Sequence, residues 1–189
     1  MPVTASDSDT VFSRAPVLSA GSARLEPFAR SHLTERYVAW LNDPQVVRYS
    51  ENRHRVNTMA GCEAYVSGFR NGPGLLWAIM TDDLGHVGNV SVSIDVNNKI
   101  ADIGILLGEG AARGRGLGLA VWTTVMSYLA GRGDIAKITG GCMEPNVAMV
   151  RIMQRSGMQP DGRRPRHYLL DGQRVDLVYH ALYVPGVEA

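Results

Sequence analysis

Two rhythms of apolar residues divide the chain. Leu33, Tyr37, Trp40 and Leu41 recur at helical spacing, as do Leu117, Ala120, Val121, Thr124, Val125, Tyr128 and Leu129, and later Met149, Val150, Ile152 and Met153. Between them Val90, Val92, Ile94 and Val96 alternate with polar residues, the mark of a half-buried strand. The pattern predicts a strand at Arg24–Phe28, then a helix capped by Ser31 and broken at Asp43-Pro44. A shorter helix follows at about 59–69, ending at Asn71-Gly72-Pro73-Gly74. Strands are expected at 75–80, 87–96 and 100–107, the last two joined by a hairpin at Asn97-Asn98. The helix at 117–129, a strand at about 137–142 and a helix opened by Asn146 come next. Strands at 168–170 and 175–184 close the pattern around Asp171-Gly172. Residues 1 to about 15, rich in Ser, Asp, Thr and Ala and without a period, read as a flexible arm, and 16–189 as a single domain.

The composition fits a globule with its own core: 189 residues, 45% hydrophobic and 20% charged. A net charge of +1 gives no general attraction to nucleic acid or a membrane surface. The apolar run 75–80 is far too short to span a bilayer, and no basic-then-apolar leader appears. Cys62 and Cys142, far apart, suit reduced thiols, so the expected location is the cytoplasm. Only Lys99 and Lys137 among 19 basic residues are lysines, and neither stands as an obvious Schiff-base nucleophile. No metal is expected.

The run Arg113-Gly114-Arg115-Gly116-Leu117-Gly118-Leu119-Ala120 joins the strand 100–107 to the helix at 117. Its glycines permit a sharp turn and close approach to bare backbone, and it feeds a helix N-terminus whose first amides lack partners. That outlines an anion site, with a phosphate or pyrophosphate as guest. A Walker loop would need Gly-Lys-Ser/Thr, and a dinucleotide fingerprint Gly-x-Gly-x-x-Gly with a later strand-end acid; neither is present. What remains, Arg113-x-x-Gly116-x-Gly118, resembles the acetyl-CoA pyrophosphate loop of the GCN5-related N-acetyltransferases (GNAT). The same family pattern has an Asn at a helix start about thirty residues on, then a basic residue and a Gly-aromatic pair. Asn146, Arg155, Gly157 and Met158 follow it, Met158 standing where an aromatic is usual. Pro145, Asn146 and Gly157 also read as plain helix punctuation. The segment from Trp40 through Asn42-Asp43-Pro44 to Tyr49 resembles the RimJ/RimL-like branch, whose corresponding helix junction walls the acceptor site. Trp40 itself reads as core, whereas Asn42, Arg48, Tyr49, Arg53, His54 and Arg55 read as facing a polar acceptor.

The resemblance covers about 22–184. It implies an α/β (α+β) fold: a mixed, mostly antiparallel central sheet of about seven strands flanked by about four helices, with a splayed parallel pair that admits the thioester. It implies acetyl-CoA as cosubstrate, its pantetheine along backbone groups of Leu106 and Leu107, its pyrophosphate on amides from about Arg115 to Leu119, and Asn146 on the pantetheine arm. Two family positions depart: Met153 stands where many relatives carry a tyrosine acid, and Gly141 where others carry a glutamate. Glu144 and Asp102 are the substitute candidates for base, Tyr168 or His167 for acid. Deprotonating a lysine with a pKa of about 10.4 costs roughly 4.6 kcal/mol at pH 7, an α-amine near 8 only about 1.4. A site without an evident strong base therefore suits a low-pKa primary amine, either the amino group of a sugar or a protein N-terminus. Arg164 and Arg166, with Arg48, Arg53 and Arg55, are candidates to grip an anionic acceptor such as a nucleotide-linked amino sugar. A ribosomal-protein-type N-terminal acetyltransferase and a non-catalytic acyl-CoA-binding module are the competing readings, and the chain is expected as a monomer or homodimer.

Overall fold

The computed structural model describes residues 10–187. Eight strands form one sheet: β1 Leu18–Ala20, β2 Ala23–Pro27, β3 Leu75–Thr81, β4 Gly85–Asp95, β5 Ile100–Leu107, β6 Lys137–Met143, β7 Gln159–Leu170 and β8 Gln173–Tyr183. Their spatial order is β1-β2-β3-β4-β5-β6-β8-β7, and every neighbouring pair is antiparallel except β5 with β6. The helices are α1 Glu35–Asn42, α2 Met59–Ser67, α3 Leu117–Ala130 and α4 Val147–Arg155. None is long and apolar enough to cross a membrane.

Both faces of the sheet are covered. Val121, Trp122, Val125 and Leu129 of α3 pack on Val90, Val92, Ile103 and Ile138. On the opposite face Tyr37, Trp40 and Leu41 of α1 and Val66 of α2 pack with Phe28, Leu76 and Ala78. This two-sided cover is why β3 reads as an unbroken apolar run rather than an alternation. Trp40 is core, as its sequence context suggests. It lies so close to Gly108 that a Cβ there would sit 2.0 Å from the indole.

The sheet agrees with the expected one of about seven strands, with one more, and three local expectations need correction. The added strand is β1, whose three residues are too few to show a period. Ser31 does not cap α1. The ring Nδ1 of His32 accepts from Ala29 N at 3.0 Å and closes a separate 3₁₀ turn, so α1 starts later, at Thr34, whose hydroxyl accepts from Tyr37 N at 3.3 Å. β7 begins at Gln159, not Tyr168, because it is an edge strand, almost wholly exposed, with bulges around Gly162 and Pro165 that erase the alternation. Residues 11–13 are not part of a flexible arm. Residues 1–9 lie outside the described residues, but Phe12 donates its N–H to Phe28 O at 2.8 Å and is buried, and the Ser13 hydroxyl accepts from Leu76 N at 2.9 Å. One aromatic and one hydroxyl are enough to dock a segment without a period.

The β5–β6 pairing lasts three residues, Ile100↔Lys137, Ala101↔Ile138 and Asp102↔Thr139. Beyond it β5 stays on β4 to Leu107, while β6 stays on β8 to Met143. The parallel pair is therefore split along half its length. Gly140 and Gly141 let β6 run bare through this region: a Cβ on the first would meet Trp122 at 2.7 Å, and one on the second the Tyr179 ring at 2.7 Å. Tyr179 thus fills the space that a side chain at 141 would need.

Candidate active site

At the open end of β5 the chain makes a 3₁₀ turn, Gly110–Ala112, and then the glycine run. Gly114 (φ 76°) and Gly116 (φ 79°) are left-handed, and a Cβ on either would meet nothing within 4 Å, so the loop is open on that side. Gly116 caps α3 without a side chain, and the helix ladder begins with Ala120 N donating to Gly116 O at 3.2 Å. The amides of Leu117, Gly118 and Leu119 are therefore first-turn amides with no ladder partner. Gly118 serves packing instead: a Cβ there would lie 2.9 Å from Ile152 Cδ1, so glycine lets α3 approach α4. The two loop arginines do not point at an empty anion site. Arg113 donates from Nε and Nη2 to Leu107 O at 3.3 and 3.2 Å, and Arg115 pairs with Asp83 at 2.8 Å, holding that carboxyl below its usual range. The loop's positive character is thus mainly that of the amides.

Strand parity decides which peptide groups face the split. Gly108 N donates to Val87 O on the β4 side at 3.0 Å, whereas Ala101 O accepts from Thr139 Oγ1 at 3.4 Å on the β6 side and Leu107 O accepts from Arg113. Even-numbered peptide groups of β5 therefore face β4, and odd-numbered ones the split. Of the expected pair, Leu107 lies on the split and Leu106 does not; Ile105 takes its place. Asn146 is the N-cap of α4, its Oδ1 accepting from Met149 N at 3.3 Å. The helix ends in a Schellman motif, with Met158 N to Met153 O and Gly157 N to Gln154 O both at 3.2 Å. Met158 is buried, as that motif's hydrophobic contact requires, which a methionine meets as well as an aromatic.

The face of β5 turned away from α3 carries Asp102, Gly104 and Leu106. Gly104–Leu106 line a cavity of about 500 Å³ with Tyr37, Cys62, Tyr65, Asn89 and Ser91. Its rim is Asn52, Arg55, Asn57 and Thr58, and no carboxylate lines it among the described residues. Two residues earlier on the same face, Asp102 accepts from Thr139 Oγ1 at 2.7 Å. Desolvation raises its carboxyl above the usual range, and the threonine bond only partly opposes this. A second cavity of about 380 Å³, lined by Arg48, Arg53 and His54 and by the β7–β8 turn, shares Leu41, Asn52 and Arg55 with the first.

The other sequence candidates fall elsewhere. Glu144 sits in a groove between α4 and the last strands, held by Arg163 at 3.0 Å, and does not join Asp102. His167 and Tyr168 pack edge-to-face at 4.7 Å on β7, two strands removed from the split. Asn42 is a loop clamp: its amide donates to Val38 O and Asn57 O, and its oxygen accepts from Asn57 N. Arg48 pairs with Asp171 at 2.8 Å and lies over Tyr49. Arg164 lies over Tyr179, and the N–H of Arg166, at φ 52°, donates to Asp176. Beyond the residues the sequence singles out, the structure places Ile105 on the split edge, Asn89, Ser91 and Tyr65 in the cavity lining, and Thr139 on Asp102. Asn89 and Ser91 were visible as the polar half of the β4 alternation; Tyr65 and Thr139 had no local signal.

Solved structures of several acetyltransferases share this fold. One similar solved structure is the ribosomal L7/L12 α-N-protein acetyltransferase RimL in complex with coenzyme A, at 19% identity and TM-score 0.79, covering 92% of this chain and 100% of that one. Another is spermidine N-acetyltransferase from Vibrio cholerae in complex with CoA and spermine, at 14% identity and TM-score 0.76, covering 86% and 96%. A third is the microcin C7 self-immunity acetyltransferase MccE in complex with acetyl-CoA and AMP, at 19% identity and TM-score 0.73, covering 87% and 93%. No curated protein has a matching sequence. Residues 23–159, most of the chain, match the family described as the acetyltransferase (GNAT) domain, and the chain belongs to that family.

Proposed function

We propose that the chain transfers acetyl from acetyl-CoA to a small polar primary amine by direct attack in a ternary complex. The observation that carries this reading is the adjacency of three features on one strand: the split edge at Ile105 and Leu107, the unpartnered α3 amides beyond it, and the cavity under Gly104–Leu106. The residues fit acetyl-CoA. The amides of Leu117, Gly118 and Leu119, with open space at Gly114 and Gly116, suit a diphosphate. The Ile105 peptide edge and the Asn146 amide suit the amide-bearing arm. When bound, this cosubstrate supplies a thioester carbonyl open to attack.

The chain's own contribution is positional and basic. The cavity holds the amine against β5, and the peptide N–H of Ile105 or Leu107 polarises the carbonyl oxygen. Asp102 takes the amine proton through a water, desolvation having raised its carboxyl above the usual range. Thr139 holds the carboxylate in place. A thiol has a pKa of about 8.5, so the departing thiolate can draw its proton from solvent without a dedicated acid.

A cavity without carboxylates gives a polycation no partner, so polyamines are poor acceptors here. The adjoining cavity, where Arg53, His54 and Arg55 stand beside the Arg48–Asp171 pair, supports an acceptor that carries a negative group, such as a nucleotide-linked amino sugar. Thiol release from acetyl-CoA with a panel of amines tests this. Amino sugars and their phosphorylated or nucleotide-linked forms are expected to turn over, with spermidine and lysine peptides at least tenfold slower. Spermidine as the best acceptor contradicts the proposal, and silence with every amine overturns the enzymatic reading.

A further inference from the structure

Beside the cavity under Gly104–Leu106, and reaching it through Asn89, lies a polar device outside the catalytic account. His86 Nε2 lies 3.0 Å from Gly88 O and 2.9 Å from Asn89 Oδ1. A backbone carbonyl can only accept, so Gly88 O requires Nε2 to carry the hydrogen. A ring nitrogen that carries its hydrogen cannot accept from an amide NH2, so the Asn89 oxygen faces the histidine and its NH2 group points away. The usual ambiguities of imidazole tautomer and amide flip are settled here by one main-chain oxygen. The imidazole stays neutral at physiological pH: burial lowers its pKa to about 4, with His32 and Arg36 acting in the same direction. Phe28, His32 and Trp40 pack around the ring and hold it in place.

Asn89 is itself buried, at 6% exposure, and lines the cavity opposite Leu106, beside Ser91. Its Nδ2 has no hydrogen-bond partner among the described residues. It is not sealed from solvent either, so it meets the cavity space. We infer that Asn89 is a specificity-determining residue, that its amide NH2 binds an oxygen carried on the acceptor next to the amine-bearing carbon, and that His86 is the positioning residue that fixes this polarity. The ligand chemistry is a primary amine with a neighbouring carbonyl or hydroxyl oxygen, as in an amino-acid amide or a 2-amino sugar, and not a bare alkylamine. The inference rests on the proposed acetyl transfer for its substrate and on the His86–Gly88–Asn89 geometry for its mechanism.

Two measurements test it. Long-range ¹H–¹⁵N spectra of the intact protein read the His86 tautomer without any substrate. The Nε2–H form is expected, and an Nδ1–H form overturns the inference whatever the enzyme does. In thiol-release assays the kcat/KM ratio of glycinamide or glucosamine to propylamine is read for each variant. Asn89→Ala should lower that ratio roughly tenfold, the scale of one hydrogen bond in a buried site. Asn89→Asp, which removes the donor, should lower it further. His86→Leu should reproduce the loss, and His86→Gln, which can still donate to Oδ1, should restore most of it. Glycinamide and glucosamine together show whether a carbonyl or a hydroxyl is read. Unchanged ratios in an active enzyme overturn the inference and leave acetyl transfer standing; no turnover with any amine by the wild type removes both.

Discussion

Asp102→Asn should cut kcat by at least a hundredfold while the protein stays folded. General-base assistance contributes on the order of 10²–10⁴ in rate, and asparagine keeps the shape of the side chain while losing the proton-accepting charge. The stability sign is opposite to the activity sign. A carboxyl whose folded pKa is raised destabilises the fold once ionised, and that penalty vanishes as pH falls below the raised pKa. Neutral asparagine escapes it at every pH, so the variant should melt no lower than wild type at pH 7. The wild-type rate should fall on the acid side as Asp102 protonates, and the variant should lose that limb. Rate–pH profiles and melting curves on the same two proteins check both halves. A variant with near-normal kcat removes Asp102 from the mechanism.

Gly88→Ala should be among the most destabilising single substitutions in the chain. A Cβ at 88 would lie 2.2 Å from Leu106 O and 3.1 Å from Leu107 Cα. Both are backbone atoms of the neighbouring strand, so no rotamer change relieves the clash, and β4 and β5 must separate where β5 borders the site. Overpacking ordinarily costs about 1–3 kcal/mol, and a clash with main chain in a central pair belongs at or above the upper end of that range. Gly85→Ala is the control. Gly85 has φ 68° but open space around it, so only the left-handed conformation is penalised, by about 1 kcal/mol. Urea unfolding of the pair should rank them in that order, and equal losses would mean that the strands tolerate the methyl.

Much of this architecture was legible before any coordinates. α3 and α4 carry strong periods and β3 and β5 apolar runs, and with β6 they stand within a few residues of where the pattern puts them. The glycine run and Asn146 were legible because both act through the backbone, and backbone demands leave local marks such as glycine at positive φ and asparagine at a cap. Side-chain roles were less legible because they depend on who sits opposite. Asn42 and Arg53 look like ligand groups in sequence but bind the loop and the β7–β8 turn, Asn42 through Asn57 and Arg53 through Leu169 O. The run Arg163 to Arg166 looks like an anion grip, yet Asp176 accepts from both ends of it. Leu106 against Ile105 is a question of parity, settled only by the β4–β5 register. Glu144 and Asp102 are similar acids in sequence, and only the topology gives one to Arg163 and the other to the split strand.

The account rests on the first-turn amides of α3 as the seat of a diphosphate, and calorimetry with coenzyme A tests that most directly. Wild-type protein should bind with measurable heat. Gly116→Asp should abolish it: the left-handed φ of 79° at that position costs the fold about 1–2 kcal/mol, a melting curve should still show a folded protein, and the carboxylate repels the same charge at the same amides. No heat with the wild type, or undiminished heat with the variant, would contradict the account.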